Sequence, residues 1–247
     1  MTRAPIALLA GTEEARLAAA ALRLQGRRVI ASLAGATRAP LKLCVATRIG
    51  GFGGVDGLTK WLRAADICAL LDATHPFATE ISANATSAAA AAGCPALALR
   101  RPPWQRGPND VWHVVPDVER AVDALPAGAR AFLALGSGGH APFLRRNDVA
   151  LTLRALAKPP GLPSHINLLE APPAQSIVEE VETLQRLSIT HLVARNAGGR
   201  GGRAKIDAAR SLGLPVIMID LPPPPAMPSV PTVEGALAWL SATIDGA

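Results

Sequence analysis

Short apolar runs alternate with longer stretches of helical periodicity along almost the whole chain. Strand-like runs lie at 6–10, 28–32, 67–72 and 96–99, and again at 131–135, 149–154, 166–169, 191–194 and 215–219. Helical patterns fill 12–25, 55–64, the stretch from Pro76 to Ala92, 176–187, 204–212 and 233–244. Gly26 stops the first helix, and Gly93 with Pro95 stops the third. Arg48-Ile49 closes a further strand and runs into Gly50-Gly51-Phe52-Gly53-Gly54. Brief buried strands separated by helices of this length predict parallel, doubly wound sheets. The rhythm breaks at 101–108, Arg-Pro-Pro-Trp-Gln-Arg-Gly-Pro, which is the candidate linker. The fold expected is therefore α/β, with two Rossmann-like domains and a cofactor and substrate cleft between them. Residues 1–104 form the N-terminal, NADP-binding domain and 105–247 the C-terminal one, whose last helix is free to pack back on the first.

Composition agrees with that class. The 247 residues are 49% hydrophobic but only 3% aromatic, without a Tyr, as in helices packed on parallel sheets. Net charge is +6, and all but four of the 25 basic residues are Arg. That excess suits an acidic ligand, since Arg binds carboxylates and phosphates bidentately, although a genome rich in GC produces it too. Cys44, Cys68 and Cys94 lack metal-ligand spacing and fit reduced thiols. No apolar run reaches the ~18–20 residues needed to span a bilayer, and no signal peptide opens the chain, so a cytoplasmic protein without membrane partners is expected.

Candidate chemistry gathers at strand ends. Between Glu14 and Asp56 the chain has no acidic residue but carries Arg16, Arg23, Arg27, Arg28, Arg38, Lys42 and Arg48. In a dinucleotide-binding βαβ unit an acidic end to the second strand holds the ribose of NAD, whereas a basic, hydroxyl-rich end accepts the 2′-phosphate of NADP. Here that end reads Ser32-Leu33-Ala34-Gly35-Ala36-Thr37-Arg38, which selects NADPH. Gly11-Thr12-Glu13-Glu14 lacks the three-glycine fingerprint, and its carboxylates would repel a diphosphate seated there in the usual manner. The glycines of 50–54 permit close backbone approach to a ligand. In Asp72-Ala73-Thr74-His75-Pro76-Phe77, Pro76 suits the first turn of a helix capped by His75 or Thr74. A His in that place stays neutral and donates one N–H, so His75 is the candidate catalytic residue. Its alternative role is a plain helix cap. Arg195-Asn196-Ala197-Gly198-Gly199-Arg200-Gly201-Gly202-Arg203-Ala204-Lys205 lies between a strand and a helix and reads as an anion-binding loop, or as a solvated basic one. Gly136-Ser137-Gly138-Gly139-His140 is not a nucleophile elbow.

Taken in order, Gly11-Thr12-Glu13-Glu14-Ala15-Arg16, Ser32-Leu33-Ala34-Gly35, Arg48-Ile49-Gly50-Gly51-Phe52-Gly53-Gly54, Asp72-Ala73-Thr74-His75-Pro76-Phe77-Ala78, Arg101-Pro102-Pro103-Trp104 and Asn196-Ala197-Gly198-Gly199 resemble the precorrin-6A reductase family of cobalamin biosynthesis. The match runs from the first strand to the last. It is weakest between Gly136 and Pro173, where Glu170-Ala171-Pro172-Pro173 stands in place of an expected basic residue. The resemblance implies NADPH-dependent reduction of one double bond of the precorrin-6A macrocycle to precorrin-6B. It implies that Thr12, Glu13, Ser32, Gly35, Thr37, Gly51, Gly53, Thr74, His75 and Asn196 line the cofactor, with Arg38 added by the charge argument above. Arg200, Arg203 and Lys205 would meet the polycarboxylate tetrapyrrole, and neighbouring enzymes of the pathway are candidate partners. No metal is required of the protein.

Three other readings stay open. The substrate of the anaerobic branch, cobalt-precorrin-6A, would use the same scaffold, although the NADP-type second strand leans to the metal-free branch. A non-catalytic NADP-binding or nucleic-acid-binding protein fits the Arg/Gly loop, but aromatics for base stacking are scarce. A short-chain NADP reductase is disfavoured, because no Tyr exists for a Tyr-Lys proton relay.

Overall fold

The computed structural model describes residues 4–35, 43–136 and 138–246. In chain order the first elements are β1 (Ile6–Leu9), α1 (Glu13–Leu24), β2 (Val29–Leu33), β3 (Ala46–Ile49), α2 (Gly54–Ala64), β4 (Ala69–Asp72), α3 (Thr79–Ala92) and β5 (Ala96–Leu99). Then come β6 (Trp112–Val115), α4 (Val118–Asp123), β7 (Arg130–Ala134), a 3-10 turn (Ala141–Arg145), β8 (Ala150–Ala155), β9 (Asn167–Glu170), α5 (Ile177–Arg186), β10 (His191–Arg195) and α6 (Ala204–Ser211). The chain closes with β11 (Val216–Ile219), β12 (Ser229–Val230) and α7 (Val233–Asp245).

These elements form two compact units, Met1–Arg101 with Pro222–Ala247, and Pro102–Leu221. The second unit thus begins at Pro102 and ends before the four prolines Pro222–Pro225, and the closing helix belongs to the first. Segment 102–108 is built into the second unit rather than hanging free. Trp104 N–H donates to Asn196 Oδ1, Gly107 N–H to Asp110 Oδ2, and Arg106 Nε to the Asp110 carbonyl.

The first unit holds a six-stranded parallel sheet in the order β12-β5-β4-β1-β2-β3. This is the doubly wound Rossmann order, with β1 and β4 at the switch point. Alternation along β1 builds two cores. Ile6 and Leu8 pack with Ala15, Ala18 and Leu22 of α1 and Ala236 and Leu240 of α7. Ala7 and Leu9 pack on the other face with Leu58 and Leu62 of α2 and Ala85, Ala88 and Ala89 of α3. Period-2 strands covered on both faces need this nearly all-apolar composition.

The second unit repeats the plan in the order β6-β11-β10-β7-β8-β9, again all parallel. Its switch point lies between β7 and β10. The sixth strand has a different origin in each unit. The first sheet is completed by β12, which follows the whole second unit, and the second by β6, which precedes the rest of its own sheet. Neither strand, nor α4, is among the elements expected from sequence. β6 alternates weakly, with only Trp112 and Val115 buried, and β12 is two residues long.

Gly57, inside α2, is fixed by packing. A Cβ there would lie 1.7 Å from the Phe52 carbonyl oxygen. Gly→Ala normally stabilises a helix interior by up to about 1 kcal/mol. Gly57→Ala is expected instead to destabilise the first unit by about 1–3 kcal/mol, because backbone must move. A urea titration showing any gain in stability would contradict this packing.

Candidate functional site

The first unit gathers its polar groups at the C-terminal ends of β1 to β4. Thr12 caps α1, accepting from Ala15 N–H at 3.1 Å. Its hydroxyl donates to the Ala73 carbonyl at 2.8 Å, joining the chain after β1 to the chain after β4 across the switch point. Glu13 is on the surface, paired with Arg16, which holds its carboxyl below the usual range despite some burial. Glu14 pairs with Arg101 at 2.5 Å. The two glutamates at the α1 start are thus each matched by a guanidinium.

After β4 the chain does not enter a helix at Pro76 as expected. α3 begins at Thr79 with Ala78 as its cap residue, so neither Thr74 nor His75 caps it. The reason is the buried Asp72. Its Oδ1 accepts from Thr74 N–H at 3.1 Å and Thr74 Oγ1 at 2.7 Å, and its Oδ2 from Ser82 Oγ at 2.5 Å. Asx-type bonding of this kind favours a turn over a helix. Ala78 N–H then donates to the His75 carbonyl at 2.7 Å. Phe77 N–H donates to His75 Nδ1 at 3.3 Å, so in the neutral ring the proton sits on Nε2. His75 is a half-buried donor, but its tautomer is set by the Phe77 amide and not by a helix dipole.

Ser32 and Gly35 lie at the end of β2, while Thr37 and Arg38 fall outside the described residues. Arg48, in β3, joins this end to the glycine loop. Its Nη1 donates to Ser32 Oγ at 2.8 Å and the Gly50 carbonyl at 2.9 Å, and its Nη2 to the Gly51 carbonyl at 3.0 Å. The guanidinium lies 3.9 Å from the Phe52 ring centroid. No carboxylate pairs with it among the described residues, and burial pushes it below the usual arginine range. A half-buried cation held only by neutral acceptors is electrostatically incomplete. Sequence reading placed Arg48 in the basic window without a role; the Ser32 and glycine-loop contacts supply one.

The glycines leave space. At Gly51 and Gly53 an added Cβ would meet nothing within 4 Å, and Gly53 has φ 78°. Both border a cavity of about 570 Å³, whose other wall includes Phe77, Thr79 and Asn84. Chain segments carrying Gly51, Gly53 and the His75 turn therefore face one space inside the first unit.

In the second unit Asn196 follows β10. Its Oδ1 accepts from Trp104 N–H at 2.7 Å and its Nδ2 donates to the Trp104 carbonyl at 3.2 Å, which commits the carboxamide to this backbone. Trp104 Nε1 donates to the Gly199 carbonyl at 2.7 Å. The basic loop is less free than its sequence implies. Arg203 pairs with Asp207 at 2.9 Å, and the same carboxylate takes Arg210. Lys205 is buried, with Nζ donating to the Gly202 carbonyl and lying 5.2 Å from the Trp104 ring. Arg200 is exposed. At the switch point of this unit Arg195 donates to the carbonyls of Leu135 and Gly138, and a Cβ on Gly139 would meet Arg195 Nη2 at 2.6 Å. Among the described residues no cluster of His, Cys, Asp and Glu could hold a metal, and no helix is long and apolar enough to cross a membrane.

Comparison with known proteins gives a consistent picture. The chain is 43% identical to precorrin-6A reductase of Rhodococcus erythropolis, over 97% of this chain and 98% of that protein. It is 44% identical to precorrin-6A reductase of Rhodobacter capsulatus, over 98% and 96%. Cobalt-precorrin-6A reductase of Synechocystis is 26% identical, over 89% of each. The solved structure of CobK precorrin-6A reductase superposes with a TM-score of 0.91 at 42% identity, covering 97% of this chain and 96% of that one. A family model, precorrin-6x reductase CbiJ/CobK, matches residues 5–241, and the chain belongs to that family.

Proposed function

We propose that this chain reduces one double bond of precorrin-6A to give precorrin-6B, with NADPH as the hydride donor and a proton taken up alongside. The observation that supports the cofactor assignment is Arg48, a half-buried cation with no carboxylate partner among the described residues, bonded to Ser32 at the strand end where a Rossmann unit takes a ribose 2′-phosphate. Open space over Gly51 and Gly53 fits the same group. Thr12, Ser32, Gly35, Gly51, Gly53, Thr74 and His75 hold the nucleotide in this reading, together with Thr37 and Arg38. Glu13, paired with Arg16, contributes at most to a sugar hydroxyl. Asn196 positions the Trp104 backbone. Bound NADPH supplies the hydride; the protein must align the reacting carbons and keep water out. His75, a neutral ring with its hydrogen on Nε2, orients by that N–H the water that delivers the proton, since losing the hydrogen itself would leave an imidazolate. Arg200 meets the acidic arms of the tetrapyrrole, while Arg203 and Lys205 shape the loop from within.

The metal-free substrate is favoured over its cobalt form because relatives named for precorrin-6A are 39–44% identical and those named for cobalt-precorrin-6A 26–29%. Fluorescence titration with NADPH and NADH, followed by NADPH oxidation dependent on precorrin-6A, tests the proposal. NADPH should bind about tenfold or more tighter than NADH, as expected for one charge-assisted contact. Failure to bind either nucleotide would overturn it.

A further inference from the structure

We infer that a second anion site in the first unit, a cavity beneath Arg100, seats one carboxylate arm of the tetrapyrrole; this rests on the reductase reading above. Arg100 directly follows β5. Its Nη2 donates to the Pro222 carbonyl at 2.9 Å and its Nη1 lies 3.5 Å from that of Pro223. Other arginines of this unit, Arg16, Arg27 and Arg101, each pair with a carboxylate. Arg100, like Arg48, does not among the described residues. Burial works against its charge, and the Asp72 field offsets that only in part. Two main-chain carbonyls orient the guanidinium without neutralising it.

Beside it lies a cavity of about 330 Å³. One wall carries the hydroxyl residues Thr79, Ser82, Thr86 and Ser87 of α3, and the other includes Pro224. Ser82 spends its hydroxyl on Asp72 and Thr86 on the Ser82 carbonyl, which leaves Thr79 and Ser87 with the uncompensated guanidinium as the seat for a carboxylate. The volume is at the small end of ligand cavities, ~300–1,000 Å³ for drug-sized molecules, so it admits an arm and not the macrocycle.

Position separates this site from the nucleotide's. β5 neighbours β4, so Arg100 stands about one strand spacing, roughly 5 Å, across the sheet from the strand leading to His75. β3 and Arg48 lie three spacings from β4 on the other side, roughly 14 Å away. The two cations therefore serve different anions. Ser82, in the cavity wall, donates to the same Asp72 carboxylate that fixes Thr74. An arm seated here is tied through two hydrogen bonds to the turn that carries His75, as recognition of a substrate spanning both requires.

The test is steady-state kinetics on the full chain with precorrin-6A and NADPH. Turnover by the unaltered protein establishes the reductase reading on its own, and its absence would sink that reading before this one is reached. Given turnover, Arg100→Gln should raise KM for precorrin-6A about ten- to a hundredfold, with the NADPH Kd within about twofold. Ser87→Glu, an exposed change that spares the fold, should raise KM in the same direction by placing a like charge at the cavity. Added salt should weaken substrate binding less in either variant than in the parent. An unchanged KM in folded Arg100→Gln overturns the inference, and so does an unchanged KM in Ser87→Glu should Arg100→Gln not fold. A loss of NADPH affinity instead would give the site to the cofactor's diphosphate and overturn it equally.

Discussion

Glu180→Ala is expected to cost the second unit about 3–5 kcal/mol, the usual result of removing one member of a buried ion pair. The side chains of Arg154 and Glu180 are 6% and 1% exposed, and Nη1 meets Oε1 at 2.6 Å. Oε1 also accepts Ala174 N–H at 3.1 Å, and the guanidinium lies 5.1 Å from the Phe132 centroid. Without the carboxylate, Arg154 would be a cation facing an aromatic ring and buried strands. Oε2 has no partner among the described residues, so even the intact pair is incompletely satisfied. Replacing both partners by Met should therefore be less harmful than removing either. Urea titrations of Glu180→Ala, Arg154→Met and the double Met variant measure this directly. A double variant worse than both singles would mean that the pair contributes net stability. Arg154 lies near the C-terminal end of β8, whose counterpart in the first unit, β2, carries Ser32, bonded to Arg48 of β3.

Arg48→Met should raise the Kd for NADPH about 10- to 100-fold and leave NADH within about threefold, because only the 2′-phosphate distinguishes them. The guanidinium also spans Ser32, Gly50 and Gly51, so some general loosening of the glycine loop is expected in addition. Arg48→Lys separates the two effects. It keeps the charge but loses the fork, and should recover part of the NADPH preference while leaving the loop contacts incomplete. If NADPH and NADH weaken equally in Arg48→Met, Arg48 is a brace for the loop and the phosphate is read elsewhere, with Arg38 the first candidate.

The contrast between what the sequence disclosed and what it hid has physical causes. β1 and β11 are buried on both faces and announce themselves as unbroken apolar runs, while β4 and β10 each show three consecutive buried apolar residues. β6 and β12 are edge strands whose pairing is decided by partners far along the chain, Val216–Ile219 and Ala98–Leu99, so local pattern says little. Pro76 gave a sound helix-start signal that lost to the Asp72 side chain, a contest invisible without the fold. The basic loop after Asn196 looked uniformly available, yet Arg203 has Asp207 four residues on, a pairing readable at helical spacing. Arg48 and Arg100 could not be singled out among so many arginines. What marks them is burial against their charge with no carboxylate partner among the described residues, which only the folded chain displays.

The origin of the sixth strands has a consequence for synthesis. When Arg101 has left the ribosome, the first sheet still lacks its edge strand β12, and the core over α1 lacks Ala236 and Leu240. The second unit has all its strands once β11 emerges, some ten residues before β12 is made. Translation runs first unit to second, but completion runs the other way. A released chain truncated just after Leu221 should carry a protease-resistant second unit beside a first unit that is cut readily. The unit that carries Arg48 and the glycine loop would then be the last part of this protein to become complete.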